Sequence, residues 1–292
     1  MLPKVSVMVP TYNHRQFISE CLDSILNQNY PNLEIVVADD ASTDGSQEII
    51  KEYEKKYPDI FKVILAEKNT GVTINCNRAF FACTGKYIAF TSGDDVMESG
   101  KLNKQISLME QHPDCIISHH EIEVFDSRTG KQICYYPGHF SQHLREEGIE
   151  TIIKCELSTC SIVARRDACP PTGYDVRIPV CSDWLFFIET AARGGKILYI
   201  PEVLLRYRRH DNNVSIKIDN TDLLTSIEIV RQKYPHLAEK VKHQKIKLIL
   251  RQVIKKFLIK SQQIKTIELF LRINFLARGF LNNLSQSRKK TK

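Results

Sequence analysis

Four apolar stretches, each followed by a polar loop and most by a helix-length segment, constrain this fold more than any other feature. The first, Lys4-Val5-Ser6-Val7-Met8-Val9, runs into Pro10-Thr11-Tyr12-Asn13, after which Phe17, Ile18, Cys21, Leu22 and Ile25 recur at helical spacing. The second, Leu33-Glu34-Ile35-Val36-Val37-Ala38, stops at Asp39-Asp40-Ala41-Ser42-Thr43-Asp44-Gly45-Ser46 before the helical run Ile49, Ile50, Tyr53. The third, Lys62-Val63-Ile64-Leu65-Ala66, leads through Asn69-Thr70-Gly71 to a helix that passes Asn77 and Cys83 and meets Gly85 at a C-cap position. The fourth, Lys86-Tyr87-Ile88-Ala89-Phe90, follows at once. Strands alternating with helices imply right-handed crossovers and an α/β fold, a mostly parallel central sheet flanked by helices.

In such sheets ligands bind outside the carboxyl ends of the strands, where this chain concentrates its polar groups. The fourth strand ends in Thr91-Ser92-Gly93-Asp94-Asp95, a small-residue turn with two adjacent carboxylates. Hard divalent cations such as Mg²⁺ and Mn²⁺ take oxygen ligands and are commonly held by one or two carboxylates plus substrate phosphates, so this turn is a candidate metal site. Gly-Asp-Asp is also ordinary turn chemistry. Ser42, Asp44 and Ser46 are helix N-cap types, but capping does not call for Asp39 and Asp40 as well.

Four segments, in this order and spacing, resemble the family 2 glycosyltransferases of GT-A nucleotide-diphospho-sugar fold: Val9-Pro10-Thr11-Tyr12-Asn13; Val37 to Asp44; Asn69-Thr70-Gly71 through Asn77; and Gly85 to Phe90 leading to Asp94-Asp95. The resemblance implies a nucleotide-sugar donor, UDP- or dTDP-linked, bound by Pro10, Thr11, Tyr12, Asn13, Asp39, Asp40, Asn69, Gly71, Asn77 and Asp94. Thr11 and Tyr12 would line the base pocket and Asp39 would accept from a uracil or thymine ring N–H. Asp94 and Asp95 would hold the ribose and the diphosphate-bound Mn²⁺ or Mg²⁺. Many members carry a further carboxylate where this chain has Ser92, which leaves the division of labour between Asp94 and Asp95 open. Many also carry an arginine where this chain has Cys76, which removes a basic contact to the nucleotide.

The likeness extends to about residue 215. By resemblance, Asp183 in Ser182-Asp183-Trp184 is the catalytic base of an inverting transfer, taking the proton of an attacking acceptor hydroxyl; a helix N-cap is its alternative role. Trp184, the single tryptophan, would stack on an acceptor sugar or pack in the core. His210, in Arg208-Arg209-His210-Asp211-Asn212-Asn213, would complete the metal shell or hydrogen-bond within its loop, and a histidine ligand favours Mn²⁺ over Mg²⁺. Residues 125–148 show no clear periodicity and read as an irregular loop bordering the acceptor.

The expected organisation is a catalytic domain over residues 1–218, its nucleotide-sugar half about 1–98 and its acceptor half about 99–218. A basic helical extension over 219–284 and a disordered tail over 285–292 follow. Residues 231–292 hold 17 Lys and Arg against two acidic residues, a local charge of +15 within a net +7, which leaves −8 for the rest. Apolar residues recur helically among them as Ile246, Ile249, Leu250, Val253 and Phe257, then Ile264, Ile267, Leu271 and Phe275. Such helices fit an anionic membrane surface, where lipid-linked acceptors reside, or would pack on the catalytic domain. No nucleic-acid module is recognisable. The nine cysteines lack zinc or redox-dithiol spacing and read as reduced thiols. No apolar run is long enough to span a bilayer and the first strand begins at once, so the expected setting is cytoplasmic, with peripheral attachment to the plasma membrane. The activity implied is transfer of a sugar to a glycan or lipid-linked hydroxyl in surface polysaccharide or glycolipid assembly. The competing readings are a non-catalytic membrane-docked scaffold, a sugar nucleotidyltransferase, which would need glycines in the first loop, and an aspartyl-phosphate phosphatase, which would need an acid where Ser42 stands.

Overall fold

The computed structural model describes residues 2–138, 145–154, 157–217 and 221–242. The chain divides into two compact units, Met1–Ser226 and Ile227–Lys292. The amphipathic helices expected from Ile246 onward and the tail 285–292 lie outside the described residues.

Strands β1 (Val5–Thr11), β2 (Leu33–Asp39), β3 (Phe61–Leu65) and β4 (Tyr87–Phe90) form a parallel array in the order β3-β2-β1-β4. They are joined by α1 (Ile18–Leu26), α2 (Ser46–Lys56) and α3 (Val72–Ala82). Strands covered on both faces read as continuous apolar runs, which is why β1, β2 and β4 were legible, while the partly exposed edge strand β3 is marked by Val63-Ile64-Leu65. In α1, Ile18, Cys21, Leu22 and Ile25 form the buried stripe that seats the helix on the sheet.

Beyond β4 the sheet becomes mixed. The chain continues through β5 (Val96–Met97), α4 (Lys101–Gln111), β6 (Cys115–Asp126), β7 (Gln132–Tyr136), β8 (Arg145–Glu147), α5 (Ile149–Ile153), β9 (Val163–Arg165), α6 (Ser182–Ala191), β10 (Lys196–Arg209), α7 (Val214–Lys217) and α8 (Thr221–Lys233). The sheet order runs on as β4-β9-β6-β10-β5, with β9 antiparallel to both neighbours, β10 parallel to β6 and β5 antiparallel to β10. Strand β10 accommodates Pro201, which has no N–H to donate, by shifting register against β6 between Ile200 and Leu205. The stretch expected to be irregular contains β7, antiparallel to β6, and β8, antiparallel to β10. Strand β7 is largely exposed, so it lacks the apolar alternation that marks a half-buried strand.

Register brings the polar strand ends together. Thr11 at the end of β1 lies beside Asp39 at the end of β2, and Met8 lies beside Phe90. Past Phe90 the chain stays against β1, with Thr91 N–H donating to Met8 O (3.2 Å) and Gly93 N–H to Pro10 O (3.3 Å). A Cβ on Gly93 would meet Thr11 Oγ1 at 2.4 Å, so the close approach requires glycine. On the other side, β5 pairs Met97 with Leu205 and Val96 with Arg206, which carries residues 208–213 across the Asp94-Asp95 turn.

Candidate active site

Asp94 is the centre of the site. Its buried Oδ2 lies 3.0 Å from His210 Nε2, accepts from Asn213 Nδ2 (3.2 Å), and is 3.9 Å from His14 Nε2. One ligand atom from each of His14, Asp94 and His210 falls within 4.8 Å of the other two. Donors about 2.1 Å from a small divalent ion sit about 3 Å apart when adjacent and about 4 Å when opposite, and the separations of Asp94 Oδ2 from His210 and from His14 fall in that range. His14 was not picked out from the sequence. It arrives because the loop after β1 is pinned to the loop after β2: Asn13 N–H donates to Ser42 Oγ (2.7 Å), Thr43 N–H to Asn13 Oδ1 (2.9 Å) and His14 N–H to Ser46 Oγ (3.0 Å). Asn13 takes φ 54°, a left-handed conformation that asparagine tolerates. His14 Nδ1 lies 3.1 Å from Thr11 Oγ1; with its proton there, Nε2 offers its lone pair toward Asp94.

The electrostatics separate the two adjacent carboxyls. Burial alone would raise Asp94, but the hydrogen bond from His210, the nearby His14 and a hydrogen bond with Ser92 hold it below the usual carboxylate range. Asp95 is pushed well above that range by complete burial and then by the charge of Asp94. Its Oδ1 accepts from Arg208 N–H (3.1 Å), and the buried Cys160 thiol lies beside the carboxyl. The donor atoms that come within 4.8 Å of one another are those of His14, Asp94 and His210, with Asp95 next to them in the turn. Burial lowers the pKa of His14, with Asp94 opposing, which favours the neutral imidazole a metal ligand requires. Arg208, also missed from sequence as a buried support, donates Nε to Asp94 O (2.9 Å), pairs with the Glu20 carboxylate and lies over Phe17 and Phe125 at 4.8 Å. It fixes the turn from behind.

The nucleotide-side residues divide into exposed and committed groups. Tyr12 is 43% exposed at the rim, whereas Asp39 is buried, with Oδ1 accepting from Ser42 N–H (2.8 Å) and Gln47 Nε2 (2.7 Å). Asp40 clamps the turn before α3, accepting from Thr70 N–H (3.0 Å), Thr70 Oγ1 (3.0 Å), Gly71 N–H (2.8 Å) and Arg78 (2.8 Å). Asn69 Oδ1 accepts from Gly71 N–H (3.2 Å) within that turn. Asn77 makes two bonds to the backbone of Tyr174, donating to its carbonyl (2.9 Å) and accepting from its N–H (2.7 Å). These contacts hold the turn before α3 and tie α3 to the Tyr174 backbone.

Asp183 stands in the first turn of α6, half-buried, with Oδ2 accepting from Thr159 Oγ1 (2.6 Å) and Oδ1 from Trp184 N–H (2.9 Å). The start of this helix is tied to α3 by a 2.7 Å bond between Thr73 Oγ1 and Ser182 Oγ. Cys76 lies between the two halves: burial, then the charges of Asp183 and Asp40, together raise its thiol to about 12. The Trp184 ring is buried, and its indole N–H donates to Ile152 O (2.9 Å), so the side chain packs α6 against α5. None of the described cysteines is in a disulfide.

The sequence profile of "Glycosyl transferase family 2" matches residues 6–168, more than half of the chain. The chain belongs to glycosyl transferase family 2. Among its relatives, an uncharacterised protein of Mycobacterium tuberculosis is 32% identical over 214 residues, 72% of this chain and 60% of the relative. The match thus spans about 60% of the length of that protein. The putative teichuronic acid biosynthesis glycosyltransferase TuaG of Bacillus subtilis is 38% identical over 107 residues, 37% of this chain and 42% of TuaG. The fold of this family 2 member resembles that of S. aureus TarS 1-349 in complex with UDP, at a TM-score of 0.67 and 20% identity over 91% of this chain and 76% of the other. It also resembles mannosyltransferase PcManGT from Pyrobaculum calidifontis in complex with GDP-Man and Mn²⁺, at a TM-score of 0.56 and 18% identity over 96% of this chain and 70% of the other. Among the described residues no helix is long and apolar enough to cross a membrane.

Proposed function

We propose that this chain is a metal-dependent, inverting glycosyltransferase that moves a sugar from a nucleoside-diphosphate donor to a hydroxyl of a glycan or lipid-linked acceptor. The observation that carries this reading is the convergence of Asp94, His14 and His210 at the strand ends that also present Thr11 and Asp39. Asp39 and Tyr12 would recognise the base, and Thr11 would back the Gly93 turn. His14, Asp94 and His210 would hold Mn²⁺ or Mg²⁺, the two imidazoles favouring Mn²⁺. When bound, that ion supplies electrostatic stabilisation of the departing nucleoside diphosphate. Asp183 accepts the acceptor hydroxyl's proton as the oxygen attacks the anomeric carbon. One in-line displacement inverts the centre, so an α-linked donor gives a β-linked product.

TarS crystallised with UDP and PcManGT with GDP-Man and Mn²⁺ make uridine and guanosine diphosphate sugars the first donors to test. The experiment is nucleotide release from UDP-, GDP- and dTDP-sugars with Mn²⁺, Mg²⁺ or EDTA. Release from one donor, abolished by EDTA and by Asp94→Asn, is the expected result. No release from any donor by folded protein would return the scaffold reading. The name of TuaG supports a role in assembling a surface polysaccharide or glycolipid. The +15 charge of residues 231–292 supports a cytoplasmic protein held peripherally at the plasma membrane. Sedimentation with anionic but not zwitterionic vesicles tests that attachment, and equal recovery with both would refute it.

A further inference from the structure

Nothing in the sequence singled out Ser158-Thr159-Cys160-Ser161, yet this short turn touches both halves of the site. Thr159–Ser161 form a single 3₁₀ turn, closed by Ser161 N–H to Ser158 O (2.9 Å) and Ile162 N–H to Thr159 O (3.0 Å). The turn is anchored three ways. Ile162 O accepts from Phe90 N–H (3.1 Å), which ties it to the strand that runs into Asp94. Ser161 O accepts from Gln105 Nε2 (3.0 Å) and, at 3.4 Å, from Lys101 Nζ. Lys101 is wholly enclosed at the start of α4, with Nζ 2.8 Å from Gln105 Oε1 and 2.9 Å from His120 Nε2. With the His120 ring proton on Nδ1, donated to Glu121 O (2.7 Å), Nε2 is left as the acceptor. Burial brings the Lys101 ammonium down to about 7, which marks how costly this anchor is to enclose.

From that anchored turn two side chains reach the site in different directions. Cys160 is buried beside Asp95, under the turn that holds Asp94. Thr159 Oγ1 donates to Asp183 Oδ2 at 2.6 Å. A carboxylate that removes a proton must present one lone pair to the acceptor hydroxyl. Two fixed donors, Thr159 O–H on Oδ2 and Trp184 N–H on Oδ1, set the plane of the carboxylate and leave its other lone pairs to do so.

We propose that Thr159 is a positioning residue for the acceptor-side base, and that the Ser158–Ser161 turn fixes the separation between Asp183 and the Asp94 turn. The proposal rests on the reading of Asp183 as the base. A misplaced reacting group costs up to about 100-fold in rate even when every catalytic group is present, so the loss should appear in turnover and not in donor binding.

The test compares Thr159→Val, Thr159→Ser and Asp183→Asn, singly and combined, by nucleotide release under saturating donor, donor KM and thermal midpoint. Thr159→Val should lower kcat on the order of 10- to 100-fold, with donor KM and midpoint unchanged. Thr159→Ser, which restores the hydroxyl, should recover most of the loss. In an Asp183→Asn background Thr159→Val should cost nothing more, since the group it orients is gone. Should valine lower the midpoint, Thr159→Ala replaces it with the same expected pattern. Full activity in Thr159→Val, failure of serine to rescue, or an additive loss in the double variant would overturn the proposal while leaving Asp183 as the base. Full activity in Asp183→Asn would overturn both.

Discussion

Replacing Glu34 by glutamine should destabilise the fold in a pH-dependent way while leaving donor binding intact, because Glu34 sits at the start of β2 and the site lies at its other end. The buried carboxylate is held by the Ser6 hydroxyl, by Thr84 N–H (2.8 Å), Thr84 Oγ1 (2.7 Å) and Lys4 Nζ (2.8 Å), which staple the entrances of β1, β2 and β4 together. Burial opposes its ionisation, but the hydrogen bonds from Lys4, Ser6 and Thr84 prevail and bring it from 4.5 to about 2. A pKa difference of that size corresponds to about 3 kcal/mol. Lys4 is 40% exposed and screened by solvent, so about 2 kcal/mol is the better figure for the native protein. Since the folded pKa lies below the unfolded one, this stabilisation is fully present above pH 4.5 and is lost as pH falls toward 2. Urea midpoints of wild type and Glu34→Gln, measured from pH 7 down to pH 3, should therefore be well separated near neutrality and converge on acidification. Curves that stay parallel across that range, or midpoints that coincide at pH 7, would refute the reasoning.

Two further substitutions probe the site itself. Gly93→Ala drives a methyl into Thr11 Oγ1 at 2.4 Å and toward His14 Nδ1 at 3.0 Å, so it should cost about 1–3 kcal/mol in denaturant unfolding and weaken metal-dependent nucleotide binding. Wild-type stability in that variant would show that β1 and the turn are not packed as described. His14→Ala should weaken Mn²⁺ binding, followed by the electron paramagnetic resonance signal of free Mn²⁺, by on the order of 10-fold or more while the thermal midpoint without metal is retained. Unchanged Mn²⁺ affinity would remove His14 from the site.

What was legible in the sequence follows the range over which each signal acts. Strands β1, β2 and β4 announce themselves because they are buried nearly throughout and each is followed by its own loop, so Thr11, Asp39 and Asp94 could be placed at one sheet edge from local pattern alone. Strand β9 has three residues and β7 is an exposed edge, and neither carries enough apolar periodicity to be read. Histidine 14 stands beside residues that were read, but its approach to Asp94 depends on Ser42 and Ser46 gripping the first loop from about 30 positions away. The Thr159–Asp183 bond spans 24 positions and no motif. Asp40 and Asn77 were legible as polar residues at a strand end and on a helix, but their long-range partners, Thr70, Gly71 and Arg78 for Asp40 and the Tyr174 backbone for Asn77, were not, since each lies about 30 or more positions away.

The central claim is that a metal-supported nucleoside-diphosphate site is built on Asp94. Calorimetric titration of UDP and GDP into wild type, Asp94→Asn and Asp183→Asn, each with Mn²⁺ and with EDTA, tests it most directly. The expected result is Mn²⁺-dependent binding of one nucleotide to wild type and Asp183→Asn, lost in Asp94→Asn. Binding that is indifferent to both metal and Asp94, or no binding to folded wild-type protein, would contradict it.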